Sequence, residues 1–464
     1  MAIYDTIIVG MGAAGCSAAS VLCKAGKRVL ALEAQNRVGG RVNTVPFGSG
    51  VVELGAEWVH GEVGNSVNKL AVEHSVPLLP HDITLKFFRS DRPDTGSDDI
   101  LNDLVEYAFN TVDDHPKEPE PLGQYLTRRL KEYIATKYPE LLNDKYLIDN
   151  ILHFIDLFMN NYNATNSWDD LTTHGNYKTL EGDQHLSFNK NGYKTVFEVL
   201  LNTYQGASGY PNLNIRFEKV VTKIKYPQDP VQDVEVTCKD GSTYKGRNVI
   251  VTVSLGVLKE SHPSMFYPPL PDSKATVIDK MSIGVMDKIV LLFPEAWFPK
   301  DRSFFAFIWS GDERSRIPLE DFWVTKIFGC SNPKGSDRAL TLWTSGNVAK
   351  VVETLPEDLV KRKCMELLRR FMGKGVNIPE PIDIIRSNWH TNPYTRGSFT
   401  YDNLQTHQYP NARAILAEPL LDGSGAPRVL FAGEATDNVL FSTVHGAMDS
   451  GRREANRLLS KSKL

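Results

Sequence analysis

The sequence is poor in cysteine and has no long apolar run. Its five cysteines, Cys16, Cys23, Cys238, Cys330 and Cys364, are an odd number without a CxxC pair. That pattern argues for reduced thiols in an intracellular compartment, and against a disulfide scaffold or a zinc site. No stretch approaches the ~18 to 20 apolar residues that cross a bilayer. Runs such as Ile289 to Phe293 have the length of a strand. The net charge is only −4, which excludes the strongly basic balance of a nucleic-acid binder. Tandem repeats, low-complexity tracts and long Pro/Gly/Ser linkers are all missing, so independent modules in series are not expected. The N-terminus does not read as a signal peptide, because Asp5 interrupts its first apolar stretch and Gly10 opens a glycine loop.

What is present is an ordinary globular composition, 41% hydrophobic and 23% charged over 464 residues. Two or three packed domains are expected at this length. Tyr4 to Val9 reads as a buried strand, Ala14 to Lys24 as a helix ended by Gly26, and Arg28 to Leu32 as a second strand with Glu33 at its end. Helices are expected over Pro121 to Ile134 and Leu147 to Met159, followed by a polar loop from Asn160 to Asn166. Strands are expected over Val220 to Tyr226, Val234 to Cys238, Asn248 to Val253, Lys288 to Phe293, Ala339 to Thr344 and Val429 to Phe431. Glu357 to Phe371 and Ala447 to Leu459 read as helices.

Gly10-Met11-Gly12-Ala13-Ala14-Gly15 fits GxGxxG, between a strand and a helix. Gly10 permits the tight turn, Gly12 lets the backbone approach a pyrophosphate, and Gly15 lets the helix lie close to the sheet. The helix start offers free N–H groups to phosphate. Glu33, eighteen positions after Gly15, can accept hydrogen bonds from ribose hydroxyls. This unit binds a dinucleotide but does not separate FAD from NAD. Gly39-Gly40-Arg41 does favour FAD, since a nicotinamide enzyme has no need of it; Arg41 can pair with phosphates. In isolation the same triplet reads equally well as a surface turn.

Five further motifs, in order, are similar to those of the flavin-containing amine oxidases, and most of all to polyamine oxidases of the animal type. They are Val52-Glu53-Leu54-Gly55-Ala56-Glu57-Trp58-Val59-His60-Gly61; Val251 to Lys259, with Ser254 where the family usually has proline; Met286-Asp287-Lys288-Ile289; Trp389 to Tyr401; and Phe431-Ala432-Gly433-Glu434-Ala435-Thr436 continued by Ser442 to Ala447 and Ser450-Gly451. The resemblance covers nearly the whole chain and is poorest between Asp82 and Asn189. It implies an α/β fold in which a Rossmann-like FAD-binding domain (residues 1–80, 190–262 and 405–464) is interleaved with an α+β substrate-binding domain (81–189 and 263–404).

The resemblance also implies the site. FAD would be held without a covalent bond by Gly10, Gly12, Ala14, Gly15, Glu33, Ala34, Gly40, Arg41, Gly55, Ala56, Glu57, Trp58, Val220, Trp389, Gly433, Glu434, Thr443 and Val444. Ser398 stands where monoamine oxidases carry the cysteine that bonds to flavin, and a serine cannot form that thioether. No metal is expected. Lys288 matches the family lysine that reaches the flavin through water and aids its reoxidation; by itself it would read as a snorkelling strand lysine. His60 is the second catalytic candidate, a polar group near the substrate amine or else a structural histidine. Substrate-binding candidates are Glu57, Asp169, Asp170, Ser398, Phe399, Tyr401, Phe441 and Thr443, with Phe399 and Phe441 as aromatic walls.

The implied reaction is oxidation of a secondary amine of a polyamine, with imine hydrolysis and peroxide production from dioxygen. Asn160-Asn161-Tyr162-Asn163 and Asn176 stand where relatives carry acids. That leaves open a specialised amine oxidase with a non-polyamine substrate. A demethylase of the chromatin type finds no basic tail here, and a non-catalytic flavin-binding interaction protein is disfavoured by Lys288. The terminal Ser462-Lys463-Leu464 reads as a peroxisomal address, making the import receptor an expected partner. Neither nucleic acid nor membrane is an expected partner.

Overall fold

The glycine turn folds as strand, turn, helix and strand. The computed structural model describes residues 3–91, 98–112, 114 and 116–460. In it strand Ile3–Val9 leads into helix Ala13–Lys24 and returns as strand Val29–Leu32, parallel to the first. Around this pair grows a nine-stranded sheet. Its parallel core comprises Leu213–Arg216, Val29–Leu32, Ile3–Val9, Thr243–Val251 and Pro427–Phe431. The long strand Thr243–Val251 shares one edge between two partners. Its first half pairs antiparallel with Val234–Cys238, and its last three residues pair with Val429 to Phe431.

Strict alternation along the parallel strands supplies two apolar faces, as a sheet covered on both sides requires. Ile8, Val29, Ala31, Ile250 and Leu430 face helix Ala13–Lys24 and helix Val444–Ser460. Ile7, Val9, Leu30, Leu32, Val249 and Phe431 face the other way, onto Leu255–Met265, Asp272–Lys280 and Ala412–Ala417. The helices Ala13–Lys24 and Val444–Ser460 bring the two ends of the chain together. They touch so closely that a Cβ on Gly451 would lie 2.0 Å from the Ala14 carbonyl oxygen.

A second, six-stranded sheet runs in the order Asp383–Arg386, Met286–Leu292, Ala339–Ser345, Gly329–Ser331, Phe304–Ile308, Leu85–Arg89. Only its last pair is parallel. Helices Asp98–Thr111, Leu122–Lys137 and Lys145–Asn163 cover one face, and Glu357–Met372 covers the other. This sheet carries Lys288 on its second strand, opposite Trp343.

One segment differs in kind from its sequence reading. Asn160 to Asn163 is not loop but the last turn of helix Lys145–Asn163. Its amides fold back onto the helix, Asn161 Nδ2 onto the Leu157 carbonyl and Asn163 Nδ2 onto that of Met159, both at 2.9 Å. A side-chain amide whose nitrogen is bonded can be buried, as Asn161 is, and as Asn160 is with its amide nitrogen on Asp156 Oδ1 and its oxygen accepting Thr165 Oγ1. Ala164, at φ 59°, ends the helix. Among the described residues no helix is long and apolar enough to cross a membrane. The tripeptide Ser462-Lys463-Leu464 lies outside the described residues.

Candidate active site

The glycine turn forms a cradle whose shape only glycine allows. Gly10 has φ +94°, and a Cβ there would lie 2.7 Å from Thr252 Oγ1. A Cβ on Gly15 would lie 2.0 Å from the Gly10 carbonyl oxygen. Gly12 caps helix Ala13–Lys24 without any side-chain acceptor, so the first helical N–H groups stay open to an anion. Gly40 leans against Gly12, with its Cβ position 3.3 Å from the Gly12 Cα. Glu33 is buried at the strand end and accepts N–H bonds from Met11 at 2.7 Å and Gln35 at 2.9 Å. Burial raises its carboxyl, and these N–H donors oppose the rise. Ala34 follows it, half-buried. Val220 lies farther along, its carbonyl accepting from Lys239 N–H at 2.8 Å.

The C-terminal motif closes on the same cradle. Gly433 adopts φ +139° with open space where a Cβ would point. The buried Glu434 beside it accepts Arg41 Nη1 at 2.8 Å, Thr400 Oγ1 at 2.7 Å and the Ser442 N–H at 2.9 Å. Burial alone would raise Glu434. Arg41, Arg413 and Thr400 outweigh it and hold the carboxyl below its ordinary range. Arg41 Nη1 also reaches the Ser398 carbonyl at 2.8 Å. Thr443 Oγ1 accepts the Gly446 N–H at 3.0 Å and steadies the start of helix Val444–Ser460, and Val444 packs against the core under the cradle. Open helix N–H groups, a ribose-height carboxylate, an arginine fork and space at Gly433 are the donor set and shape that an FAD pyrophosphate and ring require.

Lys288 is enclosed, with 1% of its surface exposed. Its Nζ donates to Glu57 Oε2 at 2.7 Å and to the Glu53 carbonyl at 2.9 Å. Two indoles flank it, Trp343 at 4.5 Å and Trp58 at 5.9 Å from ring centroid to Nζ. Glu53, four residues before Glu57 at the end of strand Gly50–Glu53, accepts the Tyr193 N–H at 2.7 Å and the Thr44 hydroxyl at 2.8 Å. Burial pushes its carboxyl up to about 7. Behind Lys288, the buried Asp287 accepts Ser387 Oγ at 2.8 Å and the Trp389 N–H at 3.2 Å. Burial, then the neighbouring Glu353 carboxyl, raises Asp287 well above the usual carboxylate range. Trp389 in turn donates its indole N–H to the Leu54 carbonyl at 3.2 Å. A Cβ on Gly55 would lie 1.9 Å from the Arg41 carbonyl oxygen, so segment Leu54 to Trp58, with Ala56, is held against the arginine turn.

His60 has its ring Nδ1 2.6 Å from the Gln184 carbonyl. A carbonyl only accepts, so Nδ1 carries the proton and Nε2 is the free acceptor in the neutral ring. Burial lowers its pKa, which keeps the ring neutral. His185 stands edge-on at 5.9 Å between ring centroids; burial, then His60 and His81, lower it to about 3.

The other sequence candidates divide. Ser398 Oγ accepts the Met286 N–H at 2.8 Å, tying its loop to the Lys288 strand. Phe399 is half-buried, between buried Ser398 and Thr400. Phe441 is buried, with the Arg413 guanidinium 3.6 Å from its ring centroid and Tyr177 edge-on at 5.7 Å. Tyr401 borders a cavity of about 220 Å³ that Asn176, Lys280, Ser282, Asp402, Gln405 and Arg413 also line. Its one buried carboxylate, Asp402, is neutralised by Arg413 at 3.0 Å. Asp169 and Asp170 both accept backbone N–H bonds, Asp169 from Gln124 in the first turn of helix Leu122–Lys137 at 3.1 Å and Asp170 from the nearby Asn166 at 3.0 Å.

Sequence reasoning gave Glu53, Trp343, His185 and Arg413 no role in the site. Each reaches it from a different segment, and no local spacing announces them. Two had an indirect signal: Trp343 lies in a strand run that could pair with the Lys288 strand, and Glu53 lies inside the Val52 to Gly61 motif.

Comparison with known proteins agrees with this geometry. A family model described as flavin containing amine oxidoreductase matches residues 13–459. The chain is 32% identical to the peroxisomal N(1)-acetyl-spermine/spermidine oxidase of Homo sapiens, over 98% of this chain and 94% of that protein. It is 30% identical to polyamine oxidase 1 of Oryza sativa subsp. japonica, over 98% and 96%. With lysine-specific histone demethylase 1 homolog 2 of the same plant it shares 29% identity, over 99% of this chain but 57% of that protein. The chain therefore belongs to the flavin containing amine oxidoreductase family, and is an FAD-dependent amine oxidase.

Proposed function

We propose that this oxidase acts on a secondary amine of a polyamine, acylated or free, releasing an amine and an aldehyde. Bound FAD would accept a hydride from the carbon beside the nitrogen and pass the electrons to dioxygen as peroxide. The single observation that carries the reading is the full-length similarity to a polyamine oxidase, and the site chemistry is compatible with it. A hydride leaves readily only from a neutral amine, and a buried site favours that form. His60, neutral with Nε2 free, can accept a hydrogen bond from an amine N–H. FAD would be held non-covalently, since Ser398 offers a hydroxyl already bonded to Met286. Glu33, Arg41, Gly433 and Glu434 would bind it along the cradle. Phe399, Tyr401 and Phe441 would flank the substrate, and the cavity beside Tyr401, where Asp402 is already paired with Arg413 and Lys280 adds a positive charge, would suit an amide end better than a second ammonium. Ser462-Lys463-Leu464 would direct the protein to peroxisomes.

A second reading is an amine oxidase specialised for a non-polyamine substrate. It is favoured by the engagement of Asp169 and Asp170 in backbone caps, which leaves few carboxylates for a polycation. A peroxide-coupled panel of spermine, N-acetylspermine, spermidine and simple monoamines separates the two. An acetylated polyamine is expected to show the highest kcat/KM, and preference for a monoamine would remove the polyamine reading.

A further inference from the structure

We propose that Glu57 is the positioning residue of Lys288, fixing both the direction and the charge of its ammonium within the site. The inference rests on the amine-oxidase reading of that site, but gives Glu57 a role other than substrate binding or direct cofactor contact.

An ammonium has three N–H donors. In Lys288 one goes to Glu57 Oε2 at 2.7 Å and one to the Glu53 carbonyl at 2.9 Å. Only the third remains to be aimed, and the other two determine where it points. The pair is nearly free of solvent, with Lys288 1% and Glu57 6% exposed. An isolated ammonium there would be expelled or would lose its proton. The flanking indoles of Trp343 and Trp58 add attraction for a cation but no net negative charge. The second nearby carboxyl, Glu53, turns its oxygens to Tyr193 and Thr44. Among the described residues, Glu57 is therefore the one carboxylate in contact with the ammonium, across 231 positions of sequence. Its backbone belongs to the Leu54 to Trp58 segment that Trp389 and Arg41 brace. The lysine is thus indexed to the cradle rather than to its own strand alone.

The test compares the parent holoenzyme with Glu57→Gln, Glu57→Asp, Lys288→Met and the double variant Glu57→Gln/Lys288→Met. Flavin reduction by amine and reoxidation by dioxygen are followed separately by stopped flow from pH 6 to 9.5, and the midpoint potential of the bound flavin is measured over the same range. Whichever half-reaction Lys288→Met slows, Glu57→Gln is expected to slow by at least tenfold. The double variant is expected to be no slower than Lys288→Met. In Glu57→Gln the potential should show a break with pH, as the unpaired ammonium gives up its proton. That break should be absent from the parent, from Glu57→Asp and from the double variant.

A Glu57→Gln potential profile that superimposes on the parent's would overturn the proposal. So would a raised amine Kd with both half-reactions intact, which would return Glu57 to substrate binding. Should Glu57→Gln fold poorly, the double variant carries the test, because it buries no unpaired charge; a double variant slower than Lys288→Met would also overturn the proposal. A parent enzyme whose flavin no amine bleaches would sink the functional reading instead, and is seen before any variant is made.

Discussion

At the scale of single residues, the site is governed by what burial does to charge. Glu53 is the clearest case. Burial pushes its carboxyl from 4.5 up to about 7, and the neighbouring Glu57 adds to the rise, while Tyr193 N–H, Thr44 and Lys288 oppose it. A carboxyl whose pKa is higher folded than unfolded binds its proton more tightly in the fold. Its contribution to stability is complete below the unfolded value and is lost as pH rises through the folded one. Between pH 4.5 and about 7 the parent should therefore lose about 3 kcal/mol from this group, at 1.36 kcal/mol per unit. Glu53→Gln keeps the shape and an acceptor for the Tyr193 N–H, and has no proton to lose. It is expected to flatten this part of the stability profile and to gain on the parent at pH 8. Urea unfolding at pH 5 and pH 8 measures the difference, and parallel profiles for parent and variant would contradict it.

At the scale of elements, the contact between helices Ala13–Lys24 and Val444–Ser460 sets the cradle. It depends on one missing methyl group, because a Cβ on Gly451 would lie 2.0 Å from the Ala14 carbonyl oxygen. Neither backbone can yield without moving its helix. Gly451→Ala is therefore expected to cost about 1 to 3 kcal/mol, the range for overpacking, and to weaken FAD binding, since the displaced helix begins at the glycine turn. Gly175→Ala, with nothing within 4 Å of the new methyl, serves as the neutral control. Thermal unfolding and FAD titration of both variants test this, and equal behaviour of the two would refute it.

The same elements mark what the sequence makes legible. The glycine turn, its helix and Glu33 can be read because their chemistry lies within one local stretch, where spacing carries geometry. Residues Asn160 to Asn163 mislead because side-chain amides that donate back to carbonyls of their own helix look, in sequence, like a loop. The Lys288–Glu57 pair is invisible for another reason. Each residue has a plausible role alone, and only the meeting of the second sheet with the Leu54 to Trp58 segment joins them.

At the scale of the molecule, the cradle is assembled from both ends of the chain and from its middle. Gly10 to Gly15 and Glu33 to Arg41 come from the start, Ser398 and Thr400 from a loop beside the second sheet, and Gly433, Glu434 and Thr443 from the end. Arg41, Ser398, Thr400, Glu434 and Ser442 are joined by direct hydrogen bonds. A ligand seated there contacts segments that would separate on unfolding, and so binds the folded chain far better than the unfolded one. Mass action then requires free FAD to stabilise the protein by about 2.7 kcal/mol at one hundred times its Kd. Protein stripped of FAD should melt earlier, and its Tm should climb with the logarithm of added FAD. Tryptic cleavage of helix Val444–Ser460, which carries Arg452, Arg453 and Arg457, should be faster without FAD and suppressed by it. NAD at the same concentrations should do neither, because it offers no isoalloxazine ring to the space at Gly433. A Tm indifferent to FAD, or equally responsive to NAD, would mean that these segments meet for packing alone.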